Sequence, residues 1–381
     1  MSINEKPSVP YIKSLDGLRG LAILLVLFDH WAPWQGVHDI LEFGRVGLLL
    51  FFILSGYLIT SVLLSLREKI QNNELKIIHA LKIFYFRRIL RIFPIYFLAI
   101  LLAAYFFQSV RDDFIYHLLF VQNFSGMWQL YLHAAPYQSA YHLWSLAVEE
   151  QFYLVWAPIV LLLASPKTML KICIAAIITS LLFKTCCAFD HSYDAWDQNP
   201  RWMINWIFRL NTLGNTDSLA IGCLVAIDNR YKFIDWNYGL AGYIKNALLF
   251  LTIPILLTII LYTEILGANQ ARGTGIYMAL HDTIIQVPLW ILLHSAVYSS
   301  NTIQVLSNSF LVWVGKKSYG LYVWHEFVKY ILGIFIKRTF HDYIIPPAIL
   351  FIIYVSATFT AAVLSWRFIE TPFLKLKTKL S

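Results

Sequence analysis

The chain has 381 residues, of which 59% are hydrophobic and only 14% charged, with a mean hydropathy of +0.61; ordinary soluble domains carry about 25% charged residues. This composition excludes a soluble enzyme and describes a polytopic membrane protein. The formal charge of +8 would suit a nucleic-acid partner if it formed one patch, but the basic residues fall in alternate loops, so none is expected.

Apolar windows of about 20 residues predict spans at 17–33, 43–66, 88–107, 142–164, 169–189, 205–227, 244–263, 277–298, 317–336 and 344–368. The expected fold is therefore all-α, a transmembrane bundle of about ten helices. No polar linker, repeat or low-complexity run divides it, so 1–381 reads as a single membrane domain. Loops on the N-terminal side hold Lys6, Lys13, Arg67, Arg87, Arg88, Arg91, Lys375, Lys377 and Lys379 among others, whereas the opposite loops hold only Arg45, Arg111, Arg201, Arg272, Lys337 and Arg338. That asymmetry predicts cytoplasmic tails at 1–13 and 369–381. A cleavable leader is not expected, because no small-residue cleavage site follows the first apolar segment. The four cysteines lie in apolar stretches without zinc-site spacing, and no metal is expected.

The first span, SLDGLRGLAILLVLFDHW, places Arg19, Asp29 and His30 in an apolar segment. An ionisable group there costs roughly 3 kcal/mol or more unless it has partners or a wet cavity. Arg19 and His30 are eleven residues apart, about three turns, so they share one helix face about 16 Å apart along the axis. In the second span Gly44, Gly47 and Gly56 suit close helix packing, and Arg67 to Lys82 reads as an interfacial amphipathic helix.

Arg87, Arg88 and Arg91 open the third span. They suit membrane anchoring or a cytoplasmic anion site, and the sequence leaves both open. The outer region from Gln108 to Tyr141 is rich in aromatic and amide residues, Trp128 among them, which suits either sugar faces or an interfacial belt. The fourth span opens HLWSLAVEEQFYLVW, with His142, Ser145 and Glu149 near one face and Glu150 beside them. At least one of the two carboxylates is expected to face a polar cavity. Ser318, Tyr319, Tyr322, His325 and Glu326 enter the ninth span. Lys184 and Lys329 read as snorkelling side chains, and Arg367 with Glu370 as an ion pair on one helix face.

Several of these stretches, in order, resemble the bacterial integral-membrane acyltransferases of acyltransferase family 3. LDGLRGLAILLVLFDH, GLLLFFILSGYLIT, RRILRIFPIY, HLWSLAVEEQFYLVW, SYGLYVWH and WRFIETPF carry the resemblance along nearly the whole chain. It implies a bacterial inner-membrane enzyme that moves an acyl group, most often acetyl from cytoplasmic acetyl-CoA, to a carbohydrate hydroxyl. Acceptors in the family include surface polysaccharides, peptidoglycan, lipid-linked glycans and small glycosides. The extracytoplasmic SGNH-type domain of some members is expected to be absent, because about ten residues follow the last span.

The residues fit such chemistry. His30 is the candidate general base, with Asp29, Glu149 or Glu150 as catalytic carboxylates that orient its ring. Asp29 points about 100° away, which favours a glutamate from another helix; a covalent acyl-histidine stays open. Arg19, Arg87, Arg88 and Arg91 are the candidates for the donor's phosphates, with the pantetheine arm reaching toward His30. Trp128, His142, Trp144 and Ser145 are the candidates for the acceptor side. The expected partners are a carbohydrate acceptor and membrane lipid, and a homo-oligomer stays open. The competing readings are an acyltransferase using another donor, such as succinyl-CoA, and a glycan transporter or flippase.

Overall fold

The computed structural model describes residues 11–31, 42–125, 140–163, 165–189, 209–234, 275–339 and 345–377. Among the described residues every regular element is helical: α1 (Lys13–Trp31), α2 (Phe43–Gln71), α3 (Ile77–Phe106), α4 (Gln108–Asp112), α5 (Phe114–Leu118), α6 (Trp144–Pro158), α7 (Pro166–Phe189), α8 (Thr216–Tyr231), α9 (Gly275–Tyr298), α10 (Ser300–Leu306), α11 (Ser309–Lys316), α12 (Ser318–Thr339), α13 (Pro347–Ser365) and α14 (Thr371–Lys377). The expected span 244–263 lies outside the described residues; each of the others coincides with a helix, although α8 begins only at Thr216, after a tight turn at Leu213–Asn215. The chain is an all-α membrane protein. Among the described residues, five helical segments are long and apolar enough to cross a membrane by length and composition alone: Phe43–Gln71, Ile77–Phe106, Tyr141–Leu163, Pro166–Cys187 and Pro347–Leu376. Large apolar side chains stand outward on these helices, including Leu101 and Tyr105 of α3, Leu154 of α6 and Ile178 and Leu182 of α7. In water such faces would be costly, and in lipid they are solvated.

No separate interfacial helix forms over Arg67 to Lys82. Residues 67–71 continue α2, and the chain reverses through Asn73, whose φ of 60° is a left-handed conformation asparagine tolerates. Residues 77–82 then start α3.

Helix α2 packs along α8, and α1 lies against both α2 and α11. The α2–α8 contact needs glycine on both sides: a Cβ on Gly56 would sit 2.0 Å from Leu219 O, and one on Gly222 would sit 1.9 Å from Ile53 O. This is close backbone packing of the kind small residues allow in lipid, where no hydrophobic drive between helices exists.

Buried charge ties α2, α7, α8 and α9 together. Arg45 forks onto Asp282 at 2.5 and 3.1 Å and donates to Asn215 Oδ1 at 3.1 Å. Lys184, expected to reach for the interface, is 0% exposed, with its ammonium 2.6 Å from Asp217 and 3.7 Å from Asp282. Two cations facing two carboxylates leave the cluster neutral, which is why Lys184 can stay inside. The expected Arg367–Glu370 pair does not form. Residues Trp366–Glu370 make one wide helical turn, which displaces residues three apart from a common face. Glu370 turns inward, 5% exposed, while Arg367 lies outside over the Phe368 ring.

Candidate active site

Among the described residues, two of the cavities between the helices collect the polar side chains. The first, about 350 Å³, is walled by α1, α2, α3, α6 and α12 and collects Asp16, Arg19, Arg88, Arg91, Ser145, Glu149, Tyr153 and Tyr319. Arg19 lies 3.9 Å from Asp16 one turn earlier, and Glu149 Oε2 accepts from Tyr153 at 2.6 Å. Three guanidinium groups around one space suit an anion with several oxygens. Arg87 is not among the residues lining it.

The second cavity, about 340 Å³, is lined by Asp29, His30, Arg45, His142, Trp144, Arg209, His325, Glu326 and Lys329 among others. The two linings have Leu48 and Tyr322 in common.

Hydrogen bonds set the tautomers of three imidazoles. His30 Nδ1 lies 3.0 Å from Val26 O, and His325 Nδ1 lies 2.5 Å from Tyr322 O. A carbonyl only accepts, so Nδ1 is the donor in both rings, and in the neutral ring the lone pair is on Nε2. His142 is held the other way, with Nε2 donating to Val323 O at 3.1 Å. The His325 ring meets His30 at 5.0 Å and His142 at 4.8 Å between centroids, both edge-on. His30 is the most open of the three, its side chain 34% exposed, whereas His325 is 0% exposed. Glu326 Oε1 stands 3.8 Å from His30 Nε2, from His325 Nε2 and from Lys329 Nζ, and accepts no hydrogen bond among the described residues. Lys329 also donates to His30 O at 3.1 Å, tying α12 to the end of α1.

This geometry gives a proton acceptor, His30 Nε2, with an anion beside it to stabilise the imidazolium. His30, His325 and Glu326 also bring three ligand-type atoms within 4.8 Å of one another, the donor types of a zinc site. Lys329 already places a cation beside the same carboxylate oxygen.

The carboxylate at His30 comes from α12. Glu149 sits instead with the arginines of the first cavity, and Glu150 is not among the residues lining either one. Asp29 shares the second cavity with His30 but turns its carboxylate against Gly44. Of the acceptor-side candidates, His142 and Trp144 line the second cavity and Ser145 the first, and Trp128 lies outside the described residues. In the sequence His325 and Glu326 are visible only as polar residues of a span, and Lys329 as a snorkelling side chain. Their spacing from Tyr322, at positions 322, 325, 326 and 329, is the i, i+3, i+4, i+7 pattern of a single helix face, and that was the signal available.

The family model for the acyltransferase domain matches residues 12–367. Among curated proteins, the chain is similar to the peptidoglycan O-acetyltransferase OatA of Listeria monocytogenes, 30% identical over 404 aligned residues that cover 98% of this chain and 58% of that protein. A candidate O-acetyltransferase of Staphylococcus aureus is 31% identical over 96% of this chain and 58% of its own length. A candidate peptidoglycan O-acetyltransferase of Bacillus subtilis, YrhL, is 28% identical over 95% of this chain and 55% of its own length. The chain thus spans somewhat more than half the length of these relatives. No solved structure matches.

Proposed function

This chain belongs to acyltransferase family 3, and we propose that it is a membrane O-acetyltransferase that takes acetyl from cytoplasmic acetyl-CoA and gives it to a hydroxyl of an extracytoplasmic carbohydrate. The observation that carries the reading is the pair of cavities: one rich in arginine, the other holding a histidine whose Nδ1 is fixed on a backbone carbonyl, with part of their lining in common. In this reading Arg19, Arg88 and Arg91 hold the donor's phosphates. The face of α1 from Arg19 to His30, about 16 Å long, then spans the distance from phosphates to acyl group, a length suited to the extended pantetheine arm.

His30 Nε2 removes the acceptor hydroxyl's proton as that oxygen attacks the thioester carbonyl. A C–O bond forms, the C–S bond breaks, and the departing thiolate takes the proton back from the imidazolium. Glu326 favours the charged ring during the step. His142 and Trp144 line the acceptor side. The loop charges support a multi-pass protein of the bacterial cytoplasmic membrane with both termini inside. The names of the relatives make peptidoglycan the first acceptor to test.

The test is transfer of labelled acetyl from acetyl-CoA to peptidoglycan and other envelope glycans in membranes holding wild type or His30→Ala at matched expression. The expected result is label with wild type and a fall of about a hundredfold or more with the variant. Equal label with both removes His30 from the chemistry. Label from succinyl-CoA in place of acetyl-CoA reassigns the donor, and no label from any acyl-CoA refutes the reading.

A further inference from the structure

Among the described residues, the arginine cavity and the histidine cavity have only two lining residues in common, Leu48 of α2 and Tyr322 of α12. Tyr322 is 8% exposed, and its hydroxyl is held at both ends. It donates to His142 O at 2.5 Å and accepts from Ser145 Oγ at 2.6 Å, because a carbonyl can only accept and the tyrosine's single proton is already used there. Phe51, which lines the arginine cavity, meets the ring at 6.3 Å with its edge. One turn before Tyr322 on the same helix, Tyr319 lines the arginine cavity; one turn after it, His325 lines the histidine cavity. The ring therefore stands where one helix face passes from the first cavity to the second, clamped by two residues of the segment 142–145.

We propose that Tyr322 is the partition between a donor cavity and an acceptor cavity, and that it sets the ratio of acyl transfer to acyl hydrolysis. The proposal rests on the acyltransferase reading above and adds a positioning residue to it. A thioester carbonyl brought to this boundary has two competing nucleophiles. With a carbohydrate hydroxyl, a C–O bond forms to the acceptor, the C–S bond breaks and the thiol leaves with the hydroxyl's proton. With water the same bonds form and break, but the products are acetate and free thiol, and the donor is wasted. A ring pinned by two hydrogen bonds, where Leu48 also lines both cavities, limits the passage to what displaces it and keeps bulk water on the acceptor side. The two clamping bonds also explain why a tyrosine stands here: phenylalanine would fill the same space without an anchor.

The test has two arms on the full-length protein. In the first, free thiol release from acetyl-CoA is followed with no glycan present. Wild type is expected to release thiol slowly, Tyr322→Ala about tenfold faster or more, and Tyr322→Phe to an intermediate extent. Unchanged thiol release in a Tyr322→Ala protein that still binds acetyl-CoA overturns the partition. The second arm needs no donor, so it judges the partition even if the acyltransferase reading fails. Ser55→Cys, in the arginine cavity, is introduced into a chain whose four native cysteines are replaced by serine. A membrane-impermeant maleimide is then applied to intact cells or to inverted vesicles. The new thiol is expected to label from one face only when Tyr322 is present and from both faces after Tyr322→Ala. Labelling from both faces with Tyr322 in place, or from one face after its removal, overturns the proposal. Where Tyr322→Ala fails to fold, Tyr322→Phe and Leu48→Ala carry both arms with smaller effects in the same direction.

Discussion

Of the groups of ionisable residues that lie inside this protein, two are built on opposite plans. In the network of Arg45, Lys184, Asp217 and Asp282, the cations and carboxylates meet at 2.5 to 3.1 Å, apart from the longer Lys184–Asp282 approach of 3.7 Å. In the histidine cluster, His30, His325 and Lys329 all stand 3.8 Å from Glu326 Oε1, too far for a hydrogen bond, and His325 Nε2 has no hydrogen-bond partner among the described residues. A group that accepts an unfinished set of bonds at this depth gives up stability. Holding polar atoms in readiness for a substrate is the use that justifies the cost, so the closely paired network, in which Arg45 Nη1 alone is left over, reads as scaffold and the loosely paired cluster as chemistry.

The sharpest way to break the comparison is to remove a scaffold carboxylate. Asp282→Ala leaves Arg45 without its fork and Lys184 with one carboxylate for two cations. Truncating one partner of a buried pair costs about 3–5 kcal/mol, so the variant is expected to lose most of its folded yield in detergent. Lys184→Met combined with Asp217→Leu, which removes one charge of each sign, is expected to cost less than either change alone. A folded, thermally unchanged Asp282→Ala protein would show that the network is not scaffold.

The comparison also explains what the amino-acid sequence reveals and what it hides. The apolar windows locate the helices because lipid imposes a length and a composition on each span. Arg19 and His30 share a face by arithmetic within one helix, and the structure indeed lines a cavity with each. The partner of His30 is a different matter. Glu326 lies 296 residues further on, and Glu149, equally acidic and equally deep in an apolar span, is the same kind of residue in sequence terms. Only the packing of α12 against α1 separates them. Lys184 misleads for the same reason: its depth depends on carboxylates from α8 and α9. The Arg367–Glu370 pair fails because a single wide turn breaks the helical arithmetic that predicted it.

Within the cluster the next largest effect is expected at Glu326. A full charge about 4 Å from the imidazolium is worth about 4 kcal/mol at an effective dielectric of 20. Lys329, equally close to that carboxylate, cancels much of it. About 1–2 kcal/mol remains, so Glu326→Gln is expected to slow acetyl transfer about tenfold while leaving thermal stability unchanged. The same variant made together with Lys329→Met is expected to recover part of the rate, since both charges then go. A Glu326→Gln protein with wild-type transfer, or one that loses its fold, would move Glu326 from the chemistry to the scaffold.

The smallest effect concerns a histidine that is buried away from either cavity. His117, on α5 beyond the end of the long helix α3, is 0% exposed, and burial pushes its imidazole down to about 4. The backbone around it is fixed in part by Tyr96, whose hydroxyl donates to His117 O at 3.0 Å. With the folded value below the ordinary 6.5, the unfolded chain binds a proton that the folded chain refuses across this window. Stability is therefore complete above pH 6.5 and falls as the pH drops toward 4. Between pH 8 and pH 6 the loss is about 0.8 kcal/mol, a melting shift of about 1 °C for a protein of this size. His117→Gln has no such proton to refuse, so its melting temperature is expected to change less over the same interval, whatever its absolute stability. Parallel pH profiles for wild type and His117→Gln would mean that His117 takes up its proton in the folded state, and that burial alone is not what holds it neutral.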